Sequence, residues 1–368
     1  MFDIIIIGAG IVGLAIAKSI AEKTHKSVLV IEKEESFGRG ISSRNSEVIH
    51  SGIYYEPESL KIKYCSRGRD MTYAFCKQYN IWVNRCGKLV VGKSHQSDDL
   101  ELLYKNAQRN NVPDIQILDK SEISALEPKI EADIALQVGC TGIGSAHDLM
   151  AAFYKISQEG DHDYLFKSKV VGADSKSDGY EISIENAQGE LEKVSAEWVI
   201  NAAGLESDMV AQMLGGDYPT LRYSKGCYYK LSSKWRGAFK HLVYPLPDKK
   251  LGSLGIHLSF DESQMVKLGP SAHWIQDRTE DYDVEENLID QFFTEGHRYI
   301  PNLEKEDLSP DFAGIRPKIW LNENPMPDFY ISHEEGKGFP GWINLIGIES
   351  PGLTSAIAIG EDVASWII

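Results

Sequence analysis

Phe2 to Ile7 is an apolar run interrupted only by Asp3, too short a stretch for a helix. The run breaks into Gly8-Ala9-Gly10-Ile11-Val12-Gly13, and apolar positions then recur at helical spacing over 14–21. A second apolar run, Val28–Ile31, ends on an acid, Glu32. The pattern predicts strand, glycine-rich turn, helix and strand. Residues 60–79 predict a helix whose Tyr64, Met71, Phe75 and Tyr79 form a core-facing stripe. Helices are also expected at 98–110, at 121–126 with Ser121, Glu122 and Ser124 at its start, and at 149–158 with Ser145 and Asp148 as capping residues. Alternating runs at 165–173 and 180–186 read as hairpin strands closed by a strand at 193–203, before a short helix at 207–214. Strand-like runs resume over 221–267. Tyr223, Tyr228, Tyr229, Tyr244 and His257 there suit either a polar-aromatic cavity or a plain sheet core. A strand at 342–348 and a helix at 355–366 complete the pattern.

The first turn carries chemistry. Gly8 permits a tight reversal, Gly10 has no Cβ to hold off a pyrophosphate, and Gly13 lets helix and strand approach closely. The helix start, with Ile11 and Val12, offers free amides and the positive end of its dipole. Glu32 stands roughly 20 residues on, where a carboxylate accepts from an adenosine ribose and repels a 2′-phosphate. With Lys33 beside it, the set predicts FAD or NAD as ligand and disfavours NADP. A second cluster, Gly142-Ile143-Gly144, lacks the third glycine and is read as a connection into the capped helix.

The chain has 368 residues, a net charge of −16 and a pI near 5.1, so every nucleic-acid phosphate would repel it. Five cysteines without a C-x-x-C pair suit reduced thiols in a cytoplasm, and neither a disulfide framework nor a metal site is expected. No apolar stretch approaches a membrane span, and the first strand begins without a basic leader.

Trp198 to Gly204 is an apolar strand emptying into Ala202, Ala203 and Gly204, small residues where backbone can approach a ligand. Glu349-Ser350-Pro351-Gly352-Leu353-Thr354 opens the terminal helix with small, uncharged residues suited to an anion. Both chain ends therefore build the nucleotide domain. The expected fold is α/β, a Rossmann-type dinucleotide-binding domain (1–80, 145–215 and 330–368), which the resemblance below makes an FAD-binding domain, interleaved with a mixed, sheet-rich α+β substrate domain (81–144 and 216–329).

The segment Ser42 to Tyr55, SSRNSEVIHSGIYY, resembles the D-amino-acid oxidase-like superfamily of FAD proteins, and within it the L-2-hydroxyglutarate dehydrogenases or oxidases. The resemblance continues in order through Ser59-Leu60-Lys61, Cys86 to Val91, Tyr244-Pro245, Leu254 to Leu258, Gly269-Pro270, Gly314 to Lys318 and Ser350 to Thr354. It implies oxidation of a 2-hydroxy acid to a 2-oxo acid, with hydride passing from C2 to flavin N5. By resemblance, Ser43, Arg44, Asn45 and Ser46 would run beside the flavin and pyrophosphate, with His50 and Gly52 close to the ring. Val171 would touch the adenine side, Ala203 and Gly204 would sit near the ribose or pyrophosphate, and Pro351, Gly352, Leu353 and Thr354 would face the flavin edge. Arg316 is the candidate grip for the C1 carboxylate, and His50 or His257 for the hydroxyl proton. Tyr54, Lys225, Tyr229 and Tyr244 are candidates for the rest of a small anionic substrate. With no cysteine after Cys227, FAD is expected to be noncovalent; oxygen or a quinone would take the electrons, the latter through peripheral membrane contact. Ser271-Ala272 and Arg316-Pro317 depart from the family's Asn-Ala and Arg-Ala and bear on the substrate. Amine oxidation, glycerol-3-phosphate oxidation and a flavin protein without turnover are the competing readings.

Overall fold

The computed structural model describes residues 1–246, 255–276 and 278–368. Leu254, within one of the matched segments, and the stretch 247–254 of the long strand-rich run lie outside the described residues.

Phe2–Ile7 forms the centre of an eight-stranded sheet, parallel to Val28–Ile31 on one side and to the end of Leu191–Asn201 on the other. Ile4, Ile5 and Ile6 are fully buried because both faces of the strand are covered, which is why the strand reads as one apolar run without alternation. On one face pack helices Ile11–Lys23, Leu60–Tyr79, Ala146–Glu159 and Gly352–Ile367, through Leu14, Ile20, Phe75, Phe153, Ile357 and Ile359. The other face holds Ile5, Ile7, Leu29 and Ile31 against Tyr180, Ile182, Ile184 and Trp342. Trp342–Ile346 returns to this sheet in parallel with Leu191–Asn201, so both chain ends meet there.

The second sheet has ten strands and a core of its own. Its long strands Thr220–Leu231 and Leu308–Leu321 pair antiparallel, with Ser224 opposite Arg316. Further along, His257–Phe260, Leu242–Pro245 and Lys88–Gly92 lie side by side. A small three-stranded sheet joins Val48–Ile49 to Gly142–Gly144 and Val83–Asn84, so the second glycine cluster is strand and not a phosphate loop.

Several details differ from the sequence expectation. The run at 165–173 is two strands, Asp163–Leu165 in the parallel sheet and Lys169–Lys176 in the hairpin, because the chain changes neighbours between them. Helix Lys120–Leu126 is capped by Asp119, which accepts from the Ser121 and Glu122 amides, while Ser145 caps Ala146–Glu159 as expected. Tyr79 lies at the open end of its helix and is 40% exposed, outside the core stripe.

Candidate active site

One long cavity runs between the two large sheets, enclosing about 1890 Å³ of space with its solvent-open mouth included. Its lining brings together Gly8, Gly10, Ile11, Val12, Glu32 and Lys33 with Arg44, Asn45, Ser46, Ala203 and Gly204, and with His50, Tyr228, Tyr244, His257, Arg316, Pro351, Gly352 and Leu353.

The glycine turn is built by close approach. Gly8 has φ +103°, and a Cβ there would overlap the Ala202 carbonyl. A Cβ on Gly13 would overlap the Gly8 carbonyl, so this glycine serves helix packing and stands behind the cavity wall. A Cβ on Gly10 would meet only Ser42 Oγ, at 3.1 Å, which leaves its cavity side open. Glu32 accepts from the Ala9 amide at 2.7 Å and the Glu34 amide at 2.9 Å, while burial pushes its carboxyl above the usual range. Lys33 bridges Glu206 and Glu280 at 3.2 and 2.6 Å, tying the first sheet to a segment that precedes helix Ile289–His297. Arg44 lies 3.8 Å over the Tyr282 ring, and its buried Nε has no partner among the described residues.

Arg316 Nη2 donates to the Ser271 carbonyl at 2.8 Å, which fixes the guanidinium and leaves its buried Nε without a partner among the described residues. His257 stacks on Tyr244 with centroids 3.8 Å apart, and its Nδ1 lies 3.2 Å from the Gly255 carbonyl. A carbonyl only accepts, so the bond places the proton on Nδ1 and leaves Nε2 with a lone pair. His50 Nε2 lies 3.1 Å from Ser350 Oγ, and its backbone amide donates to Thr354 Oγ1. Burial pushes both imidazoles down to about 3, Lys88 adding to the effect on each. The terminal helix begins at Gly352 without a capping side chain, its first turn against the cavity.

A family model described as FAD dependent oxidoreductase matches residues 3–366. The chain belongs to this family. The mitochondrial L-2-hydroxyglutarate dehydrogenase of Arabidopsis thaliana is 34% identical, over 99% of this chain and 83% of that protein. The L-2-hydroxyglutarate dehydrogenase of Escherichia coli K12 is 28% identical, over 100% and 93%. Among solved structures, the FAD-bound L-alpha-glycerophosphate oxidase of Mycoplasma pneumoniae superposes with a TM-score of 0.88 at 23% identity, covering 100% of this chain and 94% of that one. Glycine oxidase from Geobacillus kaustophilus gives 0.81 at 20% identity, over 100% and 94%. These likenesses establish the α/β architecture with a Rossmann-type FAD-binding unit.

The residues present fit the family's cofactor. The turn with an open Gly10, the acid at Glu32, the Arg44 Nε without a partner among the described residues and the uncapped helix at Gly352 line one cavity, and they supply the open backbone, the carboxylate and the N–H donors that nucleotide, diphosphate and ring would need. Some expected contacts fall elsewhere. Ser43 is exposed and donates to the Gly40 carbonyl, whereas Ser42 lines the cavity and accepts from the Ile11 amide, because a tight turn over Ile41–Ser43 sets which serine faces inward. Val171 points outward, 38% exposed, and Val170 faces in, by strand alternation. Gly52 and Thr354 support the wall from behind, a Cβ on Gly52 overlapping Ile62 and Thr354 holding His50.

On the substrate side, Lys225 is spent on an ion pair with Asp281 at 2.6 Å. Tyr229 turns into the second core against Phe292 and donates to the Glu285 carbonyl. Its neighbour Tyr228 takes the cavity face and bonds Ser46 at 2.8 Å. Tyr223 donates to the Leu205 carbonyl. Tyr54 is set back from the cavity beside Lys88. Ser42 and Lys88 are the residues the sequence reading left without a role, and Tyr228, one of five candidates there for a polar-aromatic cavity, lines it. For Lys88 the signal was present, a lone ammonium opening the apolar strand Lys88–Gly92. None of the five cysteines lines the cavity, and no helix among the described residues is long and apolar enough to cross a membrane.

Proposed function

We propose that this chain oxidises L-2-hydroxyglutarate to 2-oxoglutarate using noncovalent FAD. The observation that carries this reading is the joining, in one cavity, of the glycine turn and Glu32 with Arg316 and His257. When bound, FAD supplies a two-electron acceptor for the hydrogen that leaves C2. Arg316 grips the C1 carboxylate, its guanidinium held by the Ser271 carbonyl so that little ordering is left to do on binding. His257 takes the hydroxyl proton on Nε2, the Gly255 carbonyl fixing its tautomer as an orienting acceptor does in other general bases. An imidazole pushed down to about 3 is a poor base. The arriving carboxylates raise its proton affinity, so the base is strengthened by the substrate it serves. His50 is the flavin-side wall, held by Ser350 and Thr354. Gly352, Leu353 and the dipole of the helix they open would favour negative charge on a ring bound against them.

We assign 1–80, 145–215 and 330–368 to cofactor binding and 81–144 with 216–329 to substrate binding, supported by how the strands divide between the two large sheets. Five free cysteines support a reducing, cytoplasmic setting. Oxygen or a quinone would be the electron acceptor, and the net charge of −16 argues against nucleic acid as a partner.

Anaerobic mixing tests the reading. L-2-Hydroxyglutarate should bleach the flavin and yield 2-oxoglutarate, and H257A should slow bleaching by about 100-fold or more while retaining FAD. Bleaching by glycine, sarcosine or glycerol 3-phosphate but not by hydroxyglutarate would overturn it.

A further inference from the structure

Lys88, Tyr244 and His257 sit on three adjacent strands and share one sheet face. Lys88 pairs in register with Leu242, two residues from Tyr244, and Val243 pairs with Leu258, which sets Tyr244 beside His257. Tyr244 and His257 line the cavity, and Lys88 lies one ring behind it. The Lys88 ammonium is 4.7 Å from the Tyr244 ring centroid and 4.8 Å from that of Tyr54, fully shielded from solvent. Lys88 Nζ, Tyr54 Oη and Tyr244 Oη all lack a hydrogen-bond partner among the described residues. The titratable groups acting on the ammonium are the thiols of Cys65 and Cys140, both kept neutral by burial, and it acts in turn on His50 and His257. Among the described residues no carboxylate is one of them. Burial lowers Lys88 only to about 8, so it is charged at neutral pH. A dry cation with two idle hydroxyls beside it is a site built for an anion that arrives from outside.

We propose that Lys88 and Tyr244 recognise the second carboxylate of the substrate, the Tyr244 hydroxyl donating to it and the ammonium behind the ring supplying the opposite charge. Tyr54 holds the ammonium from its other side. The inference rests on the 2-hydroxy-acid reading above and adds the determinant of chain-end selectivity. A dicarboxylate held between Arg316 and this wall presents C2 near His257.

The test compares L-2-hydroxyglutarate with L-2-hydroxypentanoate, which has the same five-carbon chain without the second carboxylate. In K88M the ratio of their kcat/KM values should fall by about 30-fold, through KM for the dicarboxylate, and K88R should recover part of it. Y244F, which removes only the hydroxyl, should shift the ratio in the same direction and serves if K88M loses its fold. FAD content and melting temperature are measured alongside. Equal losses on both substrates, or an unchanged ratio in both variants, would overturn the inference while leaving the 2-hydroxy-acid reading intact. Failure of the wild-type holoenzyme to oxidise either acid would overturn both.

Discussion

Arg316 and the two histidines divide the chemistry by what already holds them. Arg316 is fixed on one side by a carbonyl and free on the other. R316M should lower kcat/KM by about 100-fold or more, and R316K should recover little of that, because an ammonium cannot hold Ser271 and a carboxylate in the same fork. His50 and His257 are neutral in the folded protein down to about pH 3, whereas an unfolded histidine takes its proton near 6.5. Below 6.5 the unfolded chain therefore binds more protons, and stability falls as the pH drops towards 3. Between pH 7.5 and 5 each imidazole should withdraw about 2 kcal/mol, read as a shift in urea midpoint, and H257N should flatten the profile by one such step. At this scale much was legible. A glycine, an acid or an arginine in a motif announces its chemistry by type. Which of Ser42 and Ser43, Val170 and Val171, or Tyr228 and Tyr229 faces the cavity depends on the phase of a turn or strand, and one residue of phase reverses the side chain.

The strand-turn-helix unit at the start of the chain is the element on which the cofactor site depends. Gly8 and Gly13 leave no room for addition: a Cβ on Gly13 overlaps the Gly8 carbonyl, so helix Ile11–Lys23 must move away from its strand to accept one. G13A should cost about 1–3 kcal/mol and reduce the FAD retained after gel filtration, because the same displacement moves the first-turn amides. Elements of this kind were readable from local pattern alone, since strand Phe2–Ile7 and helix Leu60–Tyr79 have the bounds their hydrophobic spacing suggests. The break between Asp163–Leu165 and Lys169–Lys176 was not readable, because it marks a change of partner strand.

At the scale of the whole molecule, the cavity draws its walls from both sheets and from both ends of the chain. Ligand binding there should stabilise the protein as one unit: FAD at about 100 times its Kd adds about 2.7 kcal/mol, visible as a higher melting temperature for holoprotein than for apoprotein. The sequence by itself determined the nucleotide turn, the order of elements and the family, because these rest on residue types at short, fixed spacing. Only the tertiary structure decided which side chains meet across the cavity. Lys225 found Asp281, Tyr229 found a core, and Lys88 was left with an unanswered charge beside Tyr244. Those outcomes depend on strand register and on partners tens to hundreds of residues away, and local pattern carries no information about either.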